Sequence, residues 1–158
     1  MIDFERLLRA LAANDVSFVI VGGVAATLHG SARLTTDLDI VYARDPQNIA
    51  RLAAALAPLE PYLRGAPPGL PFRFDAETIA RGLNFTLTSK AGPIDLLGEM
   101  QGVGAYESVV TRSIEVELFG IPCRCITLEA LIVAKRAAGR PKDFEVIAEL
   151  ESLRDEHD

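Results

Sequence analysis

Scarce cysteine and histidine and a deficit of positive charge bound what this 158-residue chain can do. Cys123 and Cys125 are the only cysteines, one residue apart in a β-like run, so their thiols point the same way and a disulfide between them would be strained. A zinc site would need further ligands, and His29 and His157 are the only histidines. The simplest reading is a pair of free, buried thiols in a reducing cytosol. No apolar run approaches the ~20 residues that span a bilayer. Asp3 and Glu5 precede any apolar run, unlike a signal peptide. These features lead us to expect a soluble, cytoplasmic protein with no membrane partner. Lys and Arg number 16 against 22 Asp and Glu, a formal charge of −6. That balance argues against broad nonspecific nucleic-acid binding, while leaving room for a local basic patch.

Apolar residues make up 49% of the chain, enough for a substantial core, and the length suits one domain spanning residues 1–158. The most informative stretch is Val19 to Val41. A β-forming run, Phe18 to Val21, stops at Gly22-Gly23; a short Ala-rich helix is expected over Val24–His29, then a polar loop, then a second strand, Asp37 to Val41. Alternate strand residues share a face, so Asp37 and Asp39 point together while Leu38 and Ile40 take the other side. Two like charges on one face repel unless something positive sits between them, and a divalent cation is the usual answer. Gly22 and Gly23, lacking Cβ atoms, would let backbone N–H groups approach a bound phosphate. Such a pairing of phosphate seat and carboxylates suits phosphoryl or nucleotidyl transfer.

Along the rest of the chain, Met1–Ala13 reads as a helix capped by Asp3, and residues 47–57 as another, with Asp45 as N-cap and Pro46 at its first position. Pro58 to Pro71, rich in Pro and Gly, reads as a long loop, either a lid or a surface excursion. A helical turn is expected at Ala76–Ala80 and strands at Asn84–Thr88 and Pro93–Leu97. Asp95 lies in the second of these; an acid inside an apolar strand is costly without a partner, whether a salt bridge, a turn or a metal. Gly98–Ser108 reads as loop, and Glu115–Leu118 and Ile121–Ile126 as strands turning at Phe119-Gly120. Thr127 caps a helix that Gly139 ends, and a last helix runs from Lys142 or Asp143 to about Arg154, with residues 155–158 fraying. The class is α/β of the α+β type, a mixed sheet flanked by helices with further helices at the C-terminus.

Val21-Gly22-Gly23, a spacer, then Asp37-Leu38-Asp39-Ile40 resembles the signature of the DNA polymerase β-like nucleotidyltransferase superfamily. Arg33 to Asp37 and Leu131 to Asp143 resemble small bacterial members, including the AbiEii-type toxins. The resemblance implies the nucleotidyltransferase fold, with Asp95 as a third carboxylate beside Asp37 and Asp39. It implies two Mg²⁺ ions, with Mn²⁺ as the alternative, and transfer of NMP from an NTP such as ATP to an acceptor hydroxyl. The acceptor could be tRNA, a protein or a small molecule, and an antitoxin or a second copy would be the protein partner. Many members carry Ser at the position of Gly23; here only backbone donors remain. Arg33 and Thr36 are candidates for gripping phosphate, as Arg suits bidentate contacts, although a surface Arg would read the same way. Lys135 and Lys142, in the one concentrated basic run, are candidates for nucleotide or acceptor contact; helix-end solvation would also account for them. His29 reads as structural. A non-catalytic nucleotide- or partner-binding module with the same fold is the alternative.

Overall fold

The computed structural model describes residues 2–157, and a seven-stranded mixed sheet runs through them. In chain order the elements are α1 (Phe4–Ala13), β1 (Phe18–Val21), α2 (Gly22–Leu28), β2 (Leu38–Tyr42), α3 (Pro46–Leu56), β3 (Tyr62–Leu63), α4 (Ala76–Arg81), β4 (Phe85–Thr88) and β5 (Ile94–Leu97). A small hairpin of β6 (Glu99–Met100) and β7 (Gly104–Ala105) follows, then α5 (Tyr106–Thr111), β8 (Ser113–Leu118), β9 (Ile121–Ile126), α6 (Leu128–Ala138) and α7 (Phe144–His157). The sheet order is β3-β4-β5-β2-β1-β9-β8. β2 is antiparallel to β1 and parallel to β5, so the two apolar runs expected to hold acids lie side by side at its centre.

The central strands are largely buried, with α2 and α5 packed against β1 and β2. All four residues of β1 are buried, and Leu38, Ile40, Val41 and Tyr42 of β2 are buried with them. Leu7, Leu8 and Leu11 place one stripe of α1 in the core, where α1 packs on α3. Helix starts follow their caps. Asp3 accepts from Arg6 N at 3.0 Å, Asp45 from Asn48 N at 3.0 Å and Thr127 from Ala130 N at 3.2 Å. Gly139 closes α6 with a left-handed φ of 61°.

Several boundaries differ from those read off the sequence. Helix α1 starts at Phe4, and Met1 lies outside the described residues. The glycine pair forms the first turn of α2 instead of a turn before it. The Pro-rich stretch contains β3, a two-residue strand that exists only through its pairing with β4. The loop expected at residues 98–108 holds the β6–β7 hairpin and the start of α5, whose N-cap Ala105 offers no side-chain bond to signal it. Helix α7 stays helical to His157 where fraying was expected, Asp158 lying outside the described residues, and a 3₁₀ turn, Pro141–Asp143, precedes it.

Candidate active site

Strand register assembles the acids. Asp39 on β2 stands directly beside Asp95 on β5, and Asp37 lies one residue ahead of β2. One carboxylate oxygen from each of Asp37, Asp39 and Asp95 lies within 4.8 Å of the others. Gly22 sits over the same point. Its φ is +66°, and a Cβ there would fall 2.8 Å from Asp39 Cγ, so only glycine lets the start of α2 approach that carboxylate.

The electrostatics of the trio are unfavourable as it stands. Burial, reinforced by the charges of Asp37 and Asp95, pushes the Asp39 carboxyl up to about 8, with Lys135 acting in the opposite sense. Burial and then the Asp95 charge raise Asp37 as well, partly offset by Arg64. Asp39 Oδ1 is buried without a hydrogen-bond partner. A buried oxygen with nothing to accept from, among hard oxygen donors close enough to share one ion or bridge two, fits a divalent cation of the Mg²⁺ or Mn²⁺ kind.

Two cavities meet here. The larger, about 410 Å³, is lined by Val21, Gly22, Asp39, Asp95, Lys135 and Arg140 among others. The smaller, about 170 Å³, is lined by Gly22, Gly23, Arg33, Thr36, Asp37 and Lys135 among others. Gly22 and Lys135 border both. The structure therefore brings eight of the nine candidate residues to one locus. Lys142 is the exception: it is exposed and lines neither cavity. Arg33 reaches the smaller cavity but is engaged by α7, with Glu149 at 3.6 Å and Glu145 at 3.7 Å. Glu149 also accepts from Ser31 Oγ at 2.7 Å, so α7 anchors the loop that carries Arg33 and Thr36.

Two residues at the site escaped the sequence reading. Arg64, from the Pro-rich stretch, donates to Asp95 Oδ1 at 2.7 Å and lies 3.7 Å from Asp37 Oδ2. Asp143, its side chain only 4% exposed, binds Arg140 at 2.7 Å and lies 3.6 Å from Lys135. Arg64 carried no local signal, since its partners are about 30 residues away; Asp143 was legible as the acid closing the basic run. His29 Nε2 lies 2.7 Å from the Ile126 carbonyl, a structural contact as expected. Cys123 and Cys125 are free and buried, and burial raises both thiols, Cys125 to about 12.

No family profile and no curated protein matches this chain. Solved structures do. The lincosamide antibiotic adenylyltransferase LnuA, lincomycin-bound, matches at TM-score 0.61 and 16% identity over 96% of this chain and 98% of that one. TM1012 of Thermotoga maritima, assigned as a nucleotidyltransferase, matches at 0.59 and 15%, over 96% of each chain. ANT(2″)-Ia in complex with adenylyl-2″-tobramycin matches at 0.58 and 17%, over 96% of this chain and 92% of that one. At these identities the likeness establishes the fold, a mixed sheet flanked by helices with helices at the C-terminus, as that of the nucleotidyltransferases. Among the described residues no helix is long and apolar enough to cross a membrane.

Proposed function

We propose that this chain is a metal-dependent nucleotidyltransferase that moves an NMP from an NTP to a hydroxyl of a small, polar acceptor. The observation that carries this reading is the convergence of one carboxylate oxygen each from Asp37, Asp39 and Asp95 within 4.8 Å where two Gly22-lined cavities meet. These three residues would hold two Mg²⁺ ions, with Mn²⁺ as the alternative. When bound, such ions supply charge against the triphosphate and the leaving pyrophosphate and ease ionisation of the attacking hydroxyl.

The chain's own residues do the remainder. Gly22 and Gly23 expose backbone N–H groups to phosphates in the smaller cavity, with Thr36 beside them. Lys135, bordering both cavities, places its charge where the α-phosphate must pass between donor and acceptor. Asp95 lines the larger cavity and can accept a hydrogen bond from the acceptor hydroxyl. That oxygen attacks the α-phosphorus; the new O–P bond forms as the bond to the β-phosphate bridge breaks, pyrophosphate departs, and the proton leaves through a carboxylate or water. Arg33 holds the smaller cavity's wall through its pairing with α7.

A small acceptor is supported by the size of the larger cavity, by its Asp39, Asp95 and Glu99 carboxylates, and by neighbours solved with lincomycin or with adenylyl-2″-tobramycin. A tRNA acceptor and an antitoxin partner are other readings that the resemblance allows, but a net charge of −6 opposes a polyanionic acceptor. The test is incubation with each labelled NTP, Mg²⁺ and, separately, a panel of amino- and hydroxyl-bearing small molecules and bulk tRNA. Label should reach a small molecule, and Asp39→Asn should abolish transfer. Labelled tRNA would replace the acceptor assignment. No transfer by the wild type despite Asp39-dependent nucleotide binding would favour the non-catalytic module.

A further inference from the structure

Three strands, and the residue that follows a fourth, contribute one lateral row of side chains. Asp39 of β2 is in register with Asp95 of β5, and Asp95 with Thr86 of β4. Arg64 extends this row by one strand. It follows β3 and continues the antiparallel pairing with β4, its N–H donating to Thr86 O at 3.0 Å. Residues in lateral register share a face of the sheet, so Arg64, Thr86, Asp95 and Asp39 point the same way. Thr86 is small enough for the guanidinium to pass over it to Asp95 and Asp37.

The head of Arg64 is held at that end by three donated hydrogen bonds and one longer ion pair. Nε and Nη2 donate to Leu87 O at 3.2 and 2.6 Å, Nη2 donates to Asp95 Oδ1 at 2.7 Å, and Nη1 lies 3.7 Å from Asp37 Oδ2. Its side chain is 30% exposed. Immediately beyond it Gly65 turns at φ +80° into open space. Lys135 and Arg140, which line the larger cavity with Asp39 and Asp95, are both paired with Asp143, so Arg64 is the positive group in direct contact with two of the three acids.

We propose that Arg64 is the resident cation of the acid trio: it binds Asp95 and Asp37 between turnovers, competes with a divalent ion for them, and yields to that ion when a nucleotide arrives to take up its guanidinium. This rests on the metal-dependent reading above and adds to it a reason for ion and nucleotide to load together. An ion alone must displace Arg64 and leave it unpaired; an ion arriving with a triphosphate offers the guanidinium phosphate oxygens, to which Arg is geometrically matched.

The experiment is titration of the full chain with Mn²⁺, following free Mn²⁺ by electron paramagnetic resonance, with and without an ATP analogue whose α,β bridge cannot be cleaved. Arg64→Gln removes the charge but keeps a donor for Leu87 O; Arg64→Lys keeps the charge. Without nucleotide, Arg64→Gln should bind Mn²⁺ about tenfold more tightly than wild type, the scale expected for removing one nearby like charge from a partly exposed site. Arg64→Lys should stay near wild type, and the analogue should shrink the gap between wild type and Arg64→Gln. In parallel, metal-free Arg64→Gln should melt below wild type and recover more on adding Mn²⁺. Equal or weaker Mn²⁺ binding by Arg64→Gln overturns the proposal and leaves Arg64 as a tie between β3 and β4; an unchanged metal-free melting temperature overturns it as well, since Arg64 would then hold neither the acids nor the strands. If wild type and Asp39→Asn bind Mn²⁺ alike with the analogue present, the metal-dependent reading fails and this inference goes with it.

Discussion

Asp39 carries its carboxyl into the interior with two other acids beside it, and its proton affinity records the cost. An ordinary aspartate releases its proton near 3.8; here burial first, and the neighbouring charges second, delay release to about 8. The folded chain therefore holds a proton that the unfolded chain has already lost across that window. The stability tied to the protonated carboxyl is complete below about pH 4 and disappears as pH climbs through about 8. Asp37 is displaced in the same direction. Metal-free protein should accordingly melt at lower temperature as pH rises from about 5 to about 9, with a contribution from Asp39 of at most about 1.4 kcal/mol per pH unit. Asn at position 39 has nearly the same shape but nothing to ionise, so Asp39→Asn should flatten the profile and be the more stable protein at the alkaline end. Thermal melts over that range, in chelator, decide it; parallel profiles for the two proteins would mean that Asp39 is not the group responsible.

Helices α6 and α7 pack on each other and share the Arg136–Glu151 and Arg154–Glu129 ion pairs, and one buried acid fixes the turn between them. Asp143, in the turn between them, takes two hydrogen bonds from Arg140 and lies within ion-pair distance of Lys135 at the end of α6. The Arg140 hydrogen bond, with the charges of Lys135, Arg140 and Lys142, keeps its carboxyl below the usual aspartate range. Asp143 thus acts on Lys135, the cation between the two cavities, without touching either. Asp143→Asn should lower transfer about tenfold or more, through misplacement of Lys135. A purely structural role predicts a lower melting temperature with normal turnover per folded molecule, which kcat measured beside a melt would reveal. This is also the scale at which the sequence was readable, and unevenly so. Alternation placed Asp39 and Asp95 on strands because an acid between apolar neighbours leaves few other arrangements; Asp37, expected as the first residue of its strand, lies one residue ahead of β2, its preceding neighbour being the polar Thr36. The caps of α1, α3 and α6 announced their helices for equally local reasons. β3 and α5 gave no such sign: one is two residues long and exists by pairing, the other lacks a capping side chain. Arg33 and Arg64 were opaque in the same way, since the glutamates of α7 and the acids of β2 and β5 that define them are distant in sequence.

The site belongs to the whole chain more than to any segment of it. Its walls draw on residues from Val21 to Arg140, and the elements carrying them share one cluster of buried side chains reaching from Leu7 to Leu150. A ligand that bridges β1, α2, β2, β5 and α6 therefore binds only when all are in place, and its binding energy adds to the stability of the folded state as a unit. Nucleotide with Mg²⁺ at one hundred times its dissociation constant should contribute about 2.7 kcal/mol, or roughly 5–10 °C in melting temperature for a domain of this size. The transition should remain single, and the shift should vanish in Asp37→Asn and in chelator, because both leave the triphosphate facing carboxylates with nothing between them. Differential scanning calorimetry reads both features at once. A shift confined to one of two resolved transitions would place nucleotide binding on part of the chain, and would separate the α6–α7 helices from the sheet as an independent unit.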